Sequence, residues 1–242
     1  MRNVFIRRGL NRLVNLLFPL RCPVCDGIVP SGDGKICRTC RREIQYVLEP
    51  RCQKCGRQLS DDAKFFCTAC ERMQHIFDRG IALYDYQSMK RSIYRFKYKK
   101  RCEYAAFYAE EIYSRLKNEI LRMDADAIIP VPLHKTRQKN RGYNQAELIA
   151  VHLSRLTGIP VKNDLVKRIR NTVPQKQLDV SGRQNNLKKA FNIKPNVVKL
   201  NKAILIDDIY TTGSTLDAVA KELKCRGVGT VYFISLCIGE GF

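Results

Sequence analysis

The chain has 242 residues, 45% of them hydrophobic, which allows one substantial domain and a smaller companion and excludes a chain too polar to bury a core. No stretch reaches the ~20 apolar residues that a membrane-spanning helix needs, which excludes that class. Forty-four Lys and Arg against 23 Asp and Glu leave a net charge of +21, a surface that favours polyanions: nucleic acid, anionic lipid or multiply phosphorylated ligands.

Residues 1–20 read as an amphipathic helix. Ile6, Leu10, Leu13 and Leu17 share one face, with Val14 and Phe18 beside them, and Arg2, Arg7, Arg8 and Arg12 occupy the rest. Such a stripe suits peripheral contact with an anionic membrane, and equally packing on its own protein. It does not read as a secretory signal. The apolar run is broken by Asn15 and ends at Pro19 without a small-residue cleavage site. The expected compartment is cytoplasmic, where paired cysteines mean metal more often than disulfide.

Residues 21–76 carry eight of the 11 cysteines as four C-x-x-C pairs: Cys22 and Cys25, Cys37 and Cys40, Cys52 and Cys55, Cys67 and Cys70. The second half repeats the spacing of the first. Gly27 and Gly56 follow the first pair of each half, where a zinc knuckle needs a tight turn. Two cysteines two residues apart put both thiolates on one side of a turn, and two such turns supply a tetrahedron for Zn²⁺. Three pairings of the knuckles exist. The sequential one, which joins Cys22, Cys25, Cys37 and Cys40 in one site and Cys52, Cys55, Cys67 and Cys70 in the other, needs the least loop closure. Sites of four cysteines are coordinatively closed, so two structural zinc ions are expected. The segment resembles a double zinc ribbon. It is basic, which suits nucleic acid and protein docking alike.

From residue 77 to 242 the pattern becomes that of an α/β domain with a central, mostly parallel sheet. Gly80 to Tyr86 reads as a strand. Met89 to Arg101 interleaves aromatic residues with cations, and two readings stand. Tyr94, Phe96 and Tyr98 stack bases while Lys90, Arg91, Arg95, Lys97, Lys99, Lys100 and Arg101 contact phosphates, or Ile93 and Phe96 form the buried side of a short helix whose cations are merely solvated. Helical spacing resumes from Ala105 to Ile120. Ala127 to Val131 is a second buried strand, followed by a loop dense in positive charge up to Gln145. Such a loop between strand and helix is an anion site, with His134, Lys135 and Arg141 as candidates. The polar stretch 167–186 reads as a surface loop or a lid carrying Arg170 and Lys176. Thr230 to Cys237 is the last strand, and Cys225 and Cys237 read as small apolar residues.

The most informative stretch is Ala203-Ile-Leu-Ile-Asp-Asp-Ile-Tyr-Thr-Thr-Gly-Ser-Thr. A short buried strand runs into Asp207 and Asp208. Then Thr211, Thr212, Gly213, Ser214 and Thr215 have the composition of a phosphate cradle, and an amphipathic helix starts behind them. The loop suits a phosphate. The two carboxylates suit ribose hydroxyls and Mg²⁺ held through its waters.

This stretch resembles the phosphoribosyl pyrophosphate (PRPP) motif of type I phosphoribosyltransferases. Together with Cys22-Pro-Val-Cys25, Pro130-Val-Pro-Leu-His134, Arg141-Gly-Tyr-Asn-Gln145 and Pro174-Gln175, the chain resembles the ComF family, the ComFC-type competence proteins of bacteria. The resemblance implies a type I phosphoribosyltransferase-like domain, Mg²⁺ with PRPP as ligand, and a cytoplasmic role in natural transformation. It also implies single-stranded DNA and a ComFA-type competence helicase as partners. Leu133-His134 departs from the basic residue and Gly usual in the pyrophosphate loop of active enzymes. Two functions follow: a PRPP-binding module that handles single-stranded DNA during uptake, or an active transferase moving ribose 5-phosphate to an unidentified nitrogen acceptor.

Overall fold

The structure is a computed structural model that describes residues 19–30, 32–169, 190–193 and 200–239. The N-terminal amphipathic stretch up to residue 18, and the candidate lid residues Arg170 and Lys176, lie outside the described residues. The cysteine-rich part contains two short helices, α1 (Arg38–Glu43) and α2 (Thr68–Arg72). After it come β1 (Arg79–Asp85), α3 (Tyr86–Tyr98), α4 (Tyr104–Met123), β2 (Ala127–Pro130), α5 (Lys135–Arg141) and α6 (Gln145–Thr157). The chain continues through β3 (Val166–Arg168), β4 (Phe191–Ile193), β5 (Lys202–Tyr210), α7 (Ser214–Lys224) and β6 (Thr230–Ile238).

β1, β6, β5 and β2, in that order, form a parallel sheet, and β3 pairs with β4 as a small antiparallel ribbon. Alternation along the strands sorts the core into two faces. Ile128, Ile204, Ile206, Ile234 and Leu236 meet α3, α4 and α6 on one side. Ala127, Ile129, Leu205, Val231 and Phe233 meet α7 and the β3–β4 ribbon on the other. Each large aliphatic buried here contributes roughly 1.5–3 kcal/mol, which is why strands apolar on both faces end up inside the sheet. The α/β class, the central parallel sheet and the preceding zinc ribbon are as expected from sequence.

The elements differ from expectation in four places. The strand expected at Ala203 to Ile206 runs on to Tyr210, because β6 offers a partner all the way to the Tyr210–Ile238 pair. The cationic loop after β2 contains a helix, α5, which His134 starts as N-cap and Gly142 ends in the left-handed conformation (φ 85°). In the first zinc knuckle the left-handed residue is Asp26 (φ 68°), not Gly27. A short polar side chain tolerates that conformation, and Arg101 and Tyr104 both hydrogen-bond the Asp26 carboxylate. The equivalent residue in the second half is Gly56 (φ 73°), where a Cβ would lie 2.6 Å from the Gly80 carbonyl oxygen. Cys237 is buried, as expected of a small apolar residue, but Cys225 is exposed because it caps the end of α7.

The cysteine module is built into this sheet. Tyr46 bridges Tyr84 antiparallel, Val47 N–H donates to Leu83 O (3.0 Å), and Gly80 N–H donates to Lys54 O (2.8 Å). The module therefore covers the β1 edge, which would otherwise expose unpaired backbone groups. Its two halves split between the faces. Cys22, Val29, Ile36 and Cys40 join the core beside α3 and α4. Cys52, Cys55, Leu59 and Cys67 join the core beside α7.

Candidate functional site

The cysteines gather as sequence spacing predicts. Cys22, Cys25, Cys37 and Cys40 form one cluster, and Cys52, Cys55, Cys67 and Cys70 form another, with the sulfurs of each cluster within 4.8 Å of one another. The Cys25–Cys37 and Cys55–Cys67 sulfur separations are 3.8 and 3.7 Å. A tetrahedron with Zn–S bonds of about 2.3 Å has an edge of roughly 3.8 Å. The donor sets therefore fit structural zinc in both centres. In each half the second pair opens a short helix, with Cys37 and Cys67 as N-caps. Crowding also disturbs the thiols: hydrogen bonds from Cys55 and Cys67 hold Cys52 well below the usual thiol range, while Cys52 and Cys55 push Cys70 far above it. Sharing one cation removes that conflict.

A second site opens at the carboxyl ends of β2 and β5. Of the helices after β2, α6 packs on one face of the sheet, and the helix after β5, α7, packs on the other. The chain thus parts between these neighbouring strands, as at the ligand crevices of open α/β sheets. A cavity of about 450 Å³ fills the gap. Its floor carries Asp207 and Asp208. Thr211, Gly213, Ser214 and Thr215 line one side, and Lys97, Lys100, Arg137, Arg141 and Arg168 line the rest. Two acids face five cations, a balance that suits an anionic ligand carrying its own divalent cation.

The loop is shaped for close approach. Gly213 is left-handed (φ 75°) and caps α7, and a Cβ there would press on His75, Phe77 and Tyr210 at 3.0–3.1 Å. Thr212 does not line the cavity; its hydroxyl is 2.9 Å from that of Ser214 and braces the turn from behind. Burial, and then the neighbouring Asp208 charge, push the Asp207 carboxyl up to about 7. Asp208 N–H donates to Asp207 Oδ1 (2.8 Å) and partly offsets this. Lys97 Nζ donates to Asp208 Oδ1 at 2.8 Å, with both side chains only 15% exposed. Arg168 packs over Phe191, and burial beside Arg137 lowers it to about 10.

Beside this cavity runs a larger groove of about 1180 Å³ along α3. Lys90, Arg91, Arg95, Lys99 and Arg101 line it, as do Tyr94 and Tyr98, which are 53% and 58% exposed. The groove starts at Cys25 and Cys40 of the first zinc centre and meets the cavity at Lys97, Tyr98 and Ile209.

Comparison with known proteins adds a lineage to this geometry. The double zinc ribbon domain family matches residues 13–71. Competence protein F of Haemophilus influenzae is 34% identical over 223 residues, covering 87% of this chain and 93% of that protein. The chain belongs to the competence protein F family. Other competence protein F relatives are Competence protein ComFC of Bacillus subtilis, 30% identical over 203 residues (81% and 80% of the two chains), and DNA utilization protein YhgH of Escherichia coli strain K12, 28% identical over 227 residues (92% and 98%).

In this competence protein F fold, the sequence candidates divide. Asp207, Asp208, Thr211, Gly213, Ser214, Thr215, Arg141, Lys97 and Lys100 share the cavity. His134 does not: its Nδ1 accepts from Thr136 N–H (3.3 Å) and caps α5. Lys135 is exposed on α5 and does not line the cavity either. Lys99 and Arg101 lie in the groove, and Arg101 is paired with Asp26. Of the aromatic residues on α3, Phe96 is fully buried, while Tyr94 and Tyr98 are exposed, with the Arg141 guanidinium 5.1 Å over the Tyr98 ring. Sequence reasoning missed Arg137 and Arg168 as individuals. Arg137 stands in the cationic loop after β2 and Arg168 in the polar stretch 167–186, but which of several cations turns inward depends on the fold. Among the described residues, no helix is long and apolar enough to cross a membrane.

Proposed function

We propose that the cavity binds PRPP with Mg²⁺, and that the α3 groove holds single-stranded DNA during its uptake in natural transformation. The observation that carries this is one cavity joining the Asp207–Asp208 pair, the 211–215 loop at the start of α7 and a cationic wall. In this reading the loop amides and the Thr211, Ser214 and Thr215 hydroxyls take the 5′-phosphate. Asp207 and Asp208 hold the ribose hydroxyls and the metal's waters, and Arg137, Arg141 and Arg168 face the pyrophosphate. Bound Mg²⁺ supplies charge neutralisation of the phosphates. Lys97 swings off Asp208 when the ligand arrives. The family names, competence protein and DNA utilization protein, support the DNA half. So does a basic groove bearing two exposed tyrosines on which bases stack. A ComFA-type competence helicase stands as the protein partner, on family resemblance alone.

An active transferase is the second reading, and the raised proton affinity of Asp207 favours it. The bond from ribose C1 to pyrophosphate breaks, and its electron pair leaves with pyrophosphate. A nitrogen acceptor bonds to C1, and its proton passes to the Asp207 carboxylate, which suits a group titrating near neutrality. Against this, the turn after β2 places Leu133 and the capping His134 where active enzymes carry a basic residue and Gly.

The test is calorimetry of Mg²⁺–PRPP binding to the wild type and to the Asp207→Asn, Asp208→Asn double variant. Binding should fall by at least about 100-fold, the scale of losing two charge-assisted contacts. Equal affinity in a folded double variant would overturn the assignment. Pyrophosphate release on adding a nucleobase panel or single-stranded DNA separates transferase from binding module.

A further inference from the structure

We propose that His75 is a positioning residue for the 211–215 loop, and that the second zinc centre holds this loop in its binding shape through a strap of residues 73–78. The inference rests on the loop being the phosphate site. Cys67 and Cys70 hold α2, which ends at Arg72 with the Met73 N–H donating to Ala69 O (3.0 Å). The chain then lies along α7 and is pinned at both of its ends. At the N-terminal end, His75 Nδ1 is 2.8 Å from Asp217 Oδ2, and Ile76 N–H donates to Asp217 Oδ1 at 2.7 Å. At the C-terminal end, Lys224 pairs with Asp78 at 2.8 Å, and Asp78 accepts from Val231 N–H at 2.7 Å.

His75 has no structural slack. Its side chain is 1% exposed, stacks on Phe77 at 4.6 Å, and places Nε2 3.4 Å from the Tyr210 hydroxyl. Tyr210 ends β5 immediately before the loop, and the position a Gly213 Cβ would take lies 3.0 Å from the imidazole. One ring thus contacts the start of the loop, abuts its left-handed glycine and holds the first turn of the helix behind it. The chemistry is equally specific. Asp217 is an acid in the first turn of α7, where an incoming phosphate needs positive field. Hydrogen bonds from the strap tie that carboxylate down, so the amides at the helix start are left to the ligand.

The first zinc centre lacks these links. Its polar contacts to the body, among the described residues, run to α3, α4 and the link between them: Ser92 donates to Pro23 O, Arg95 donates to Val24 O at 2.9 Å, and Arg101 and Tyr104 hold Asp26. The two centres therefore serve different sites, the first the α3 groove and the second the anion loop.

The test uses the full chain, with zinc content measured throughout. Two readouts are followed: amide hydrogen exchange over residues 211–217 without ligand, and calorimetry with Mg²⁺–PRPP. His75→Ala should speed exchange there and weaken binding, each about tenfold, while His75→Asn, whose amide replaces the Nδ1 donor, should stay within about threefold of wild type. Cys70→Ser should loosen the same amides, and Cys25→Ser should loosen α3 and leave 211–217 at wild-type rates. Unchanged exchange in His75→Ala, or equal loosening of the loop by Cys25→Ser and Cys70→Ser, would overturn the proposal. Failure of the wild type to bind Mg²⁺–PRPP would overturn the ligand reading instead, and the exchange data would still decide the coupling.

Discussion

Asp207 is the residue whose cost to the fold is plainest. Its carboxyl moves from 3.8 in an unrestrained chain to about 7 in the folded protein, chiefly through burial. Between about pH 4 and pH 7 the folded state therefore keeps a proton that the unfolded chain has released. Stability falls as pH rises through that window, and the penalty is complete above the folded value. Asp207→Asn removes the penalty. Its stability gain over wild type should be small at pH 4 and grow to the order of 4 kcal/mol at pH 8, measured as urea unfolding midpoints at both values. A gain independent of pH would show that burial does not tax this carboxylate. Such a tax on a cavity floor is the signature of a group kept for its ligand. Its chemistry was legible in sequence because two acids stood between a buried strand and a small-residue loop. Its partner Lys97, far earlier in the chain, was legible only as one cation among many. Asp26 teaches the same lesson: a glycine stood next to it, yet the left-handed position fell on the aspartate, which Arg101 and Tyr104 hold.

At the scale of elements, α3 carries two jobs on two faces. Met89, Ile93 and Phe96 fill the core, and the opposite side presents Lys90, Arg91 and Tyr94. The alternation of aromatic and basic residues left stacking and burial as competing readings. The helix resolves them, since Phe96 is core while Tyr94 and Tyr98 remain exposed. For DNA this narrows the surface. Lys97 is engaged with Asp208 and Arg101 with Asp26, so the cations free for phosphate contact along the groove are better sought at Lys90, Arg91 and Lys99. Replacing these three with Ala should reduce the slope of log K against log salt for single-strand binding by about 2, at roughly 0.7 per phosphate contact. An unchanged slope would move the DNA surface off α3. Elsewhere, α5 reads as loop in the sequence because all seven of its residues are polar and no apolar stripe announces them. A buried face is what makes a helix visible in sequence, and α5 has no buried residue.

For the whole molecule, the cysteine module behaves as part of the α/β body. It covers the β1 edge, and its two halves enter the cores on the two faces of the sheet. A fragment beginning at residue 77 would lose both contributions and leave an apolar strand edge open. It should fail to unfold cooperatively, and chelating zinc from the full chain should lower the stability of the α/β part as well, by several kcal/mol given the size of zinc-binding energies. Circular dichroism melts of the fragment and of the chelated protein check this. A soluble fragment with a sharp transition would make the module a separate domain.

The sequence by itself determined what is local or periodic. Cysteine spacing named both zinc centres and their pairing, because two C-x-x-C turns close a tetrahedron with little chain between them. Apolar runs marked β2, β5 and β6, because strands buried on both faces cannot alternate. The order of strand, acids, small residues and helix marked the anion loop. Only the tertiary structure decided which cations face that loop, that Thr212 braces it while His134 and Lys135 stand outside it, and that His75, just past the second zinc centre, reaches Asp217. Those choices depend on contacts between segments far apart in the chain, and one residue's neighbours along the chain say nothing about which distant side chain it will meet once the sheet is formed.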